Sequence, residues 1–267
     1  MAHVVVFRLE APIAAFGDLA IGERRTSDRR PAASAVLGML AAALGIGRDD
    51  PRQADLAAAW RIVTRVDALG APLADFHTAQ APPRRRGRGF ATRADELADP
   101  LDLATIVSRR DYWTDAAFTV LLWPADGLGD RVTAETLVAA LTRPVWALYV
   151  GRRACPPSRP LAPRAIDAAT VVEAFTGWDE AEGRDRVRAK EDGCVLPRHA
   201  VGDVSRRDGL ALDADFDDGR PLHPAFAGLE VDRRDTRRDR AVDRRQWLFE
   251  PRDEILAHRD DREETRS

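Results

Sequence analysis

Val4-Val5-Val6-Phe7-Arg8-Leu9 opens the chain as a β-favouring apolar run and predicts a strand over Val4–Leu9. Residues 11–33 have no clear period and carry Pro12, Gly17, Gly22 and the basic cluster Arg24, Arg25, Arg29 and Arg30. A helix is expected from Ser34, a candidate N-cap, to Leu44, closed by Gly45. Val36, Leu37, Met39, Leu40 and Leu44 surround it almost completely, so it should be buried. Asp55–Ala59 adds a short turn. Trp60 to Asp67 then alternates, with Trp60, Ile62 and Val66 on one face and Arg61, Arg65 and Asp67 on the other, as a half-exposed strand does. Residues 70–108 are long, irregular and rich in Pro, Gly and Arg, and a loop of that length in a compact domain is functional or disordered. A strand over Ala117–Trp123 and a helix over Thr133–Leu141 follow, with Glu135 in the helix's first turn and Arg143 past its end. Pro144 breaks the helix, and Val145–Val150 is the next expected strand.

This order predicts an α+β fold. Its core would be a ferredoxin-like or RRM-like βαββαβ sandwich, one sheet backed by two helices, with the excursion as an inserted thumb. Beyond Pro163 the pattern weakens. Ile166–Phe175 reads as a short helix, and Cys194–Leu196, Phe226–Val231 and Gln246–Phe249 as short strands of a small C-terminal β-rich extension. The expected division is a core over 1–160 that includes a thumb at about 70–108, a small region over 161–250, and a charged, frayed tail over 251–267.

A chain of 267 residues can bury a sizeable core. Its net charge of −3 carries no global signal for nucleic acid, but the charges are segregated. Of 41 basic residues only Lys190 is a lysine. Residues 84–93 hold Arg84, Arg85, Arg86, Arg88 and Arg93 without an acid, and residues 148–164 hold Arg152, Arg153, Arg159 and Arg164 without one. Residues 233–245 hold seven arginines against three aspartates. Such segregation is expected where one surface faces a polyanion. Cys155 and Cys194 form no metal or disulfide framework, and Asp213, Asp215, Asp217 and Asp218 lack the glycine and glutamate of a calcium loop. Neither metal nor cofactor is expected. Without a signal-peptide pattern after Met1, and with Pro31–Gly47 too short and too Ala/Gly-rich for a membrane span, the expected location is cytoplasmic.

The run Val150-Gly151-Arg152-Arg153-Ala154-Cys155-Pro156-Pro157-Ser158 delivers a glycine and paired guanidinium groups at a strand end. Glycine lets a phosphate backbone approach, and arginine binds phosphate oxygens in bidentate fashion. Alone, such a run is an ordinary solvated turn more often than a binding loop, and its weight comes from the other basic, acid-free segments. The start of the helix at Ser34, beside Arg24 and Arg25, reads equally as a phosphate site and as a plain capped core helix. His77, beside Phe76 and Asp75, is more often a structural hydrogen-bonder that closes a strand than a general acid or base, since no second histidine lies nearby in sequence. Arg84, Arg85, Arg86 and Arg88, with Phe90, fit a flexible RNA-contacting element.

Several segments resemble one family in collinear order. They are Leu9–Gly17, Arg25-Thr26, Pro31–Gly45, Asp75–Thr78, Tyr112–Phe118 and Gly151–Pro156. Together they are similar to the CasD family of type I-E CRISPR Cascade subunits, within the RAMP superfamily of RRM-like proteins. The resemblance implies a non-catalytic subunit for antiviral defence that caps the complex and holds the 5′ handle of the crRNA. It implies contacts with the backbone and large subunits of Cascade, target DNA reached only through the complex, and a thumb that kinks the guide. Where the family often carries a basic residue before the helix-opening serine, this chain has Ala33. The RNA-binding set expected is Arg24, Arg25, Ser34, His77, Arg84, Arg85, Arg86, Arg88, Gly151, Arg152, Arg153 and Ser158. The rival reading is a metal-independent endoribonuclease using His77 with Tyr112 or Lys190. A third is a scaffold whose arginines serve only ion pairs.

Overall fold

A computed structural model describes residues 1–17, 22–82, 89–100, 103–125, 132–191, 210–213, 223–243, 246 and 248–259. In chain order the elements are β1 (Ala2–Ala14), the short β2 (Phe16–Gly17), β3 (Arg24–Arg25) and β4 (Ser27–Asp28), α1 (Ala33–Leu44), α2 (Arg52–Ala59), β5 (Trp60–Ala68) and β6 (Ala71–Ala81). There follow α3 (Arg93–Glu96), β7 (Ala104–Pro124), α4 (Ala134–Thr142), β8 (Arg164–Ala168), α5 (Val171–Glu191), β9 (Leu210–Asp213), β10 (Leu229–Asp243) and β11 (Leu248–Arg259). A large sheet dominates, with strand order β10-β11-β9-β5-β7-β1-β8, antiparallel throughout this path. Strands from both sides of residue 160 therefore share one sheet.

Each sheet face carries its own core. Val5, Phe7, Leu9, Phe118, Val120, Leu122, Trp60 and Ile62 point to the layer of α1, α2 and α4. The intervening residues Val4, Val6, Val63 and Leu121 face α5, whose Val171, Ala174, Phe175 and Trp178 recur at helical spacing. Burying each of these large apolar side chains is worth about 1.5–3 kcal/mol.

The predicted strands over Val4–Leu9, Trp60–Asp67 and Ala117–Trp123 lie within β1, β5 and β7, and the predicted helices Ser34–Leu44 and Thr133–Leu141 match α1 and α4, with Thr133 as the N-cap of α4. Asp55–Ala59 is the second half of a two-turn helix rather than a turn. Strand β5 is not half-exposed. Arg65 and Asp67 are covered by α5, where Arg65 bonds Asp67 at 2.6 Å, Asp179 at 2.7 and 2.8 Å and Thr119 at 3.1 Å. A polar face can be buried when a neighbouring helix brings the counter-charges.

Val145–Val150 is not a strand. The amides of Val145 and Trp146 bond the carbonyls of Ala43 and Ala42 at the end of α1, at 3.0 and 3.2 Å. The place beside β1 is taken by Arg164–Ala168, so the predicted helix at 166–175 splits into a strand and the longer α5. Residues 251–259 are no tail: β11 buries Ile255, Leu256 and Ala257 between β9 and β10. The predicted strand Cys194–Leu196 lies outside the described residues.

Strands β6 and β7 leave the sheet together as a two-stranded arm, in register from Ala71↔Thr114 to Ala81↔Ala104. The irregular excursion expected over residues 70–108 is thus largely ordered hairpin. Eleven residues per strand give it a reach of about 36 Å. At its root β5 passes into β6 along the same partner strand, β7, through a kink. Gly70 has φ +72°, and a Cβ there would stand 1.8 Å from the Thr114 carbonyl oxygen, so glycine is required.

Candidate nucleic-acid interface

Between its root and its middle the arm gathers arginines from three separate segments. Strand β3 runs parallel to β7 and sets Arg24 beside Arg109 and Arg25 beside Arg110. Asp111 is their shared acid, accepting Arg24 at 2.9 and 3.0 Å and Arg109 at 3.3 Å. The Arg24 bond holds the Asp111 carboxyl below the usual carboxylate range. With Asp75 as the register partner of Arg110, the carboxylates on this stretch are still fewer than the guanidinium groups, which leaves a local positive excess. Arg29 stands 5.9 Å over the Trp113 ring and Arg109 6.0 Å over the Phe76 ring.

The Gly151 loop closes against this root. Gly151 has φ +90°, and a Cβ there would fall 1.6 Å from the Ala15 carbonyl oxygen and 2.6 Å from its carbon. The Ala15 amide donates to Val150 O, the Val150 amide to Cys155 O and the Cys155 amide to Arg152 O, at 3.2, 2.7 and 2.8 Å. Cys155 is buried with Ala15 and Tyr112, and burial pushes its thiol up. Arg152 lies 4.8 Å over the Tyr112 ring and donates to the carbonyls of Asp111 and Arg25, at 3.0 and 2.8 Å. Its terminal nitrogens therefore tie the loop to β3 and β7, while Arg153 is exposed. Ser158 is exposed at its side chain, and its amide donates to Glu10 O at 2.8 Å.

Of the expected set, the structure brings together Arg24, Arg25, Gly151, Arg152 and Arg153. His77 stands opposite Ser108, the neighbour of Arg109 on β7, and its Nε2 lies 2.7 Å from Asp75 Oδ2 without hydrogen-bond alignment. Arg84, Arg85, Arg86 and Arg88 lie outside the described residues. Ser34 is not the N-cap of α1. That place is Ala32, which has no side-chain cap, and the Ala33 amide instead donates to Asp239 Oδ2 at 2.8 Å. Ser34 lines a cleft of about 490 Å³ between α1 and residues 146–151, with Trp146, Tyr149, Gly151 and Phe249 on its walls.

Arg109 and Arg110 were not anticipated. Their signal was present as one of the chain's several Arg-Arg pairs, two residues before Tyr112, but only the parallel β3–β7 pairing sets it against Arg24 and Arg25. The endonuclease pair of His77 and Tyr112 does not assemble. Along β7, Tyr112 and Ser108, the register partner of His77, are four residues apart, about 13 Å, and Tyr112 is buried beneath Arg152. The Lys190 side chain lies outside the described residues.

The family model of the CRISPR-associated protein Cas5 matches residues 4–252. The chain belongs to the Cas5 family. The Cascade subunit CasD of Escherichia coli K12 is 29% identical over 192 residues, covering 68% of this chain and 80% of that protein. A solved structure of a CRISPR RNA-guided surveillance complex contains a chain 26% identical with a TM-score of 0.58, matching 96% of this Cas5 chain and 90% of its own. Among the described residues, no helix is long and apolar enough to cross a membrane.

Proposed function

We propose that this chain is a non-catalytic RNA-binding subunit of a type I-E CRISPR surveillance complex, where it caps and holds the 5′ handle of the crRNA. The gathering of Arg24 and Arg109 on one face of the arm, and of Arg25, Arg110 and Arg152 on the other, carries this reading. An electropositive surface built from several segments suits the backbone of a folded single strand, whose phosphates do not lie on one line. The likeness to CasD and to a surveillance-complex chain supports the Cascade setting. The order β5-β7-β1-β8, with α1 and α4 as crossovers on one face, supports a ferredoxin-like core.

The arm is the element that reaches toward a neighbouring subunit. It exposes Leu73 and Ile106 on one face and Phe76 and Val107 on the other, with Phe76 67% exposed. Apolar residues on both faces of a two-stranded ribbon leave it without a core of its own, and a partner surface would supply one.

The test is binding of handle RNA to the purified chain across a salt series, with RNA length followed in the same samples. Tight binding of intact RNA that weakens steeply with salt is expected. Arg109→Ala/Arg110→Ala should weaken it and flatten the salt slope by about 0.7 for each phosphate no longer neutralised. Cleavage of the RNA, or equal binding by the double variant, would overturn the reading.

A further inference from the structure

Helix α1 begins without a cap of its own. Residue 32 is alanine, and the helix has no acid in its first turn. The Ala33 amide is bonded by Asp239, a residue of β10 located 206 positions later in the chain. Asp239 is gripped by Arg252 of β11 at 2.8 and 3.0 Å. Burial pushes the Asp239 carboxyl up, and Arg252 with the Ala33 amide overrides this, so the group stays below the usual carboxylate range.

The contacts continue toward the arginine segment. Glu254 of β11 accepts Arg30 at 2.7 Å and Arg237 of β10 at 3.3 Å. Arg237 also reaches Asp28 at 3.2 Å and the carbonyls of Pro31 and Arg30 at 3.3 and 3.4 Å. Arg237 and Arg252 are register partners across the hairpin, a repulsive pairing that Asp239 and Glu254 neutralise. The C-terminal hairpin therefore grips residues 28–33 through side chains and main chain together. That stretch leads directly from Arg24 and Arg25 into α1 and carries Arg29 over Trp113.

We propose that the β10–β11 hairpin is a clasp in which Asp239 and Arg252 are positioning residues for the RNA-binding surface. Both are 5% exposed and too buried to meet RNA themselves. They act by fixing the start of α1 and by bracing Glu254, which with Arg237 holds residues 28–31, so that the arginines before the helix are held in place rather than ordered at the moment of binding. An ordering cost already met within the fold leaves more of the contact energy as affinity. A buried carboxylate can take this role because its arginine partner and a helix amide satisfy it. The inference rests on the RNA-binding reading above.

The test compares the full-length wild type with Asp239→Asn, measuring amide hydrogen exchange and handle-RNA affinity. Exchange over residues 33–36 should quicken about tenfold, the size of a missing helix cap, while β1 and β7 stay protected. RNA affinity should fall about tenfold, the size of one or two charge-assisted contacts. Adding Ala32→Ser, which supplies a local cap, should recover exchange protection and affinity together. Should Asp239→Asn not fold, Arg252→Lys keeps the charge without the two-pronged grip and should show the same change, smaller. Unchanged exchange over 28–36, or faster exchange with wild-type RNA affinity, would overturn the clasp. A wild type that binds no handle RNA would overturn the proposed function instead, and the exchange data would still report on the clasp.

Discussion

Gly151→Ala probes the loop at the arm's root with one added carbon. At φ +90° an L-residue is strained by about 1–2 kcal/mol. The new Cβ would also sit 1.6 Å from a backbone oxygen of Ala15, which cannot rotate away as a side chain would. To reach van der Waals separation the loop must retreat by roughly 2 Å. That distance breaks the 3.2 Å bond from the Ala15 amide to Val150, worth about 1 kcal/mol, and lifts Arg152 from the two carbonyls it bridges. The total loss is about 3 kcal/mol or somewhat more. In a chain of this size it should lower Tm by roughly 6–12 °C without abolishing the fold, at about 2–4 °C per kcal/mol. Differential scanning calorimetry reads the first effect, and handle-RNA titration reads the second, expected as at least a tenfold loss, about 1.4 kcal/mol. A variant with wild-type Tm and wild-type RNA affinity would refute the seating of this loop on β1 and its role in the interface.

Arg65→Met should cost about 3–5 kcal/mol in urea unfolding, because it leaves Asp67 and Asp179 facing each other under α5 without their shared cation; a change below 1 kcal/mol would refute a buried ionic layer there. His3 is clamped at 2.6 Å by Asp167 and 2.7 Å by Glu135, and the Asp167 bond, then the Glu135 bond, raise its pKa above 6.5. A raised folded-state pKa stabilises the fold below the unfolded value and loses that contribution as pH rises through the folded one. His3→Gln should therefore lower Tm slightly at pH 6 and leave it unchanged well above neutrality, and a difference growing with pH would have the wrong sign. Phe76→Ser/Ile106→Ser should leave Tm within about 2 °C and reduce self-association in light scattering, since both side chains are exposed on the arm; a large drop in Tm would mean the arm packs on its own body.

Much of the fold was legible because it follows from local period. Val4-Val5-Val6-Phe7 and Ala117–Trp123, the latter save for Thr119, are apolar on successive residues, as strands covered on both faces are, and they became the central pair β1 and β7. The thumb was legible by place but not by form. Residues 71–81 and 104–114 show little amphipathic alternation because neither face has a core to fill, so the pairing that makes them strands leaves no imprint on hydropathy. Val145–Val150 shows the opposite error. Its residues favour a strand, yet its amides are taken by the carbonyls at the end of α1, and Arg164–Ala168 pairs with β1 instead.

The site divides along the same line. Residue identity alone pointed to Gly151, Arg152 and Arg153, because a glycine before paired guanidinium groups constrains backbone and charge within three positions. It misjudged Ser34, since a serine at a helix start resembles a cap whether or not a distant carboxylate has already taken the amide. Arg109 joins Arg24, and Asp239 reaches Ala33, across separations of 85 and 206 residues that no local period encodes. Local sequence thus determined which segments are stiff, apolar or charged. Strand pairing and the burial of counter-charges, which depend on chain-wide geometry, decided which arginines meet at the arm and which are locked inside the protein.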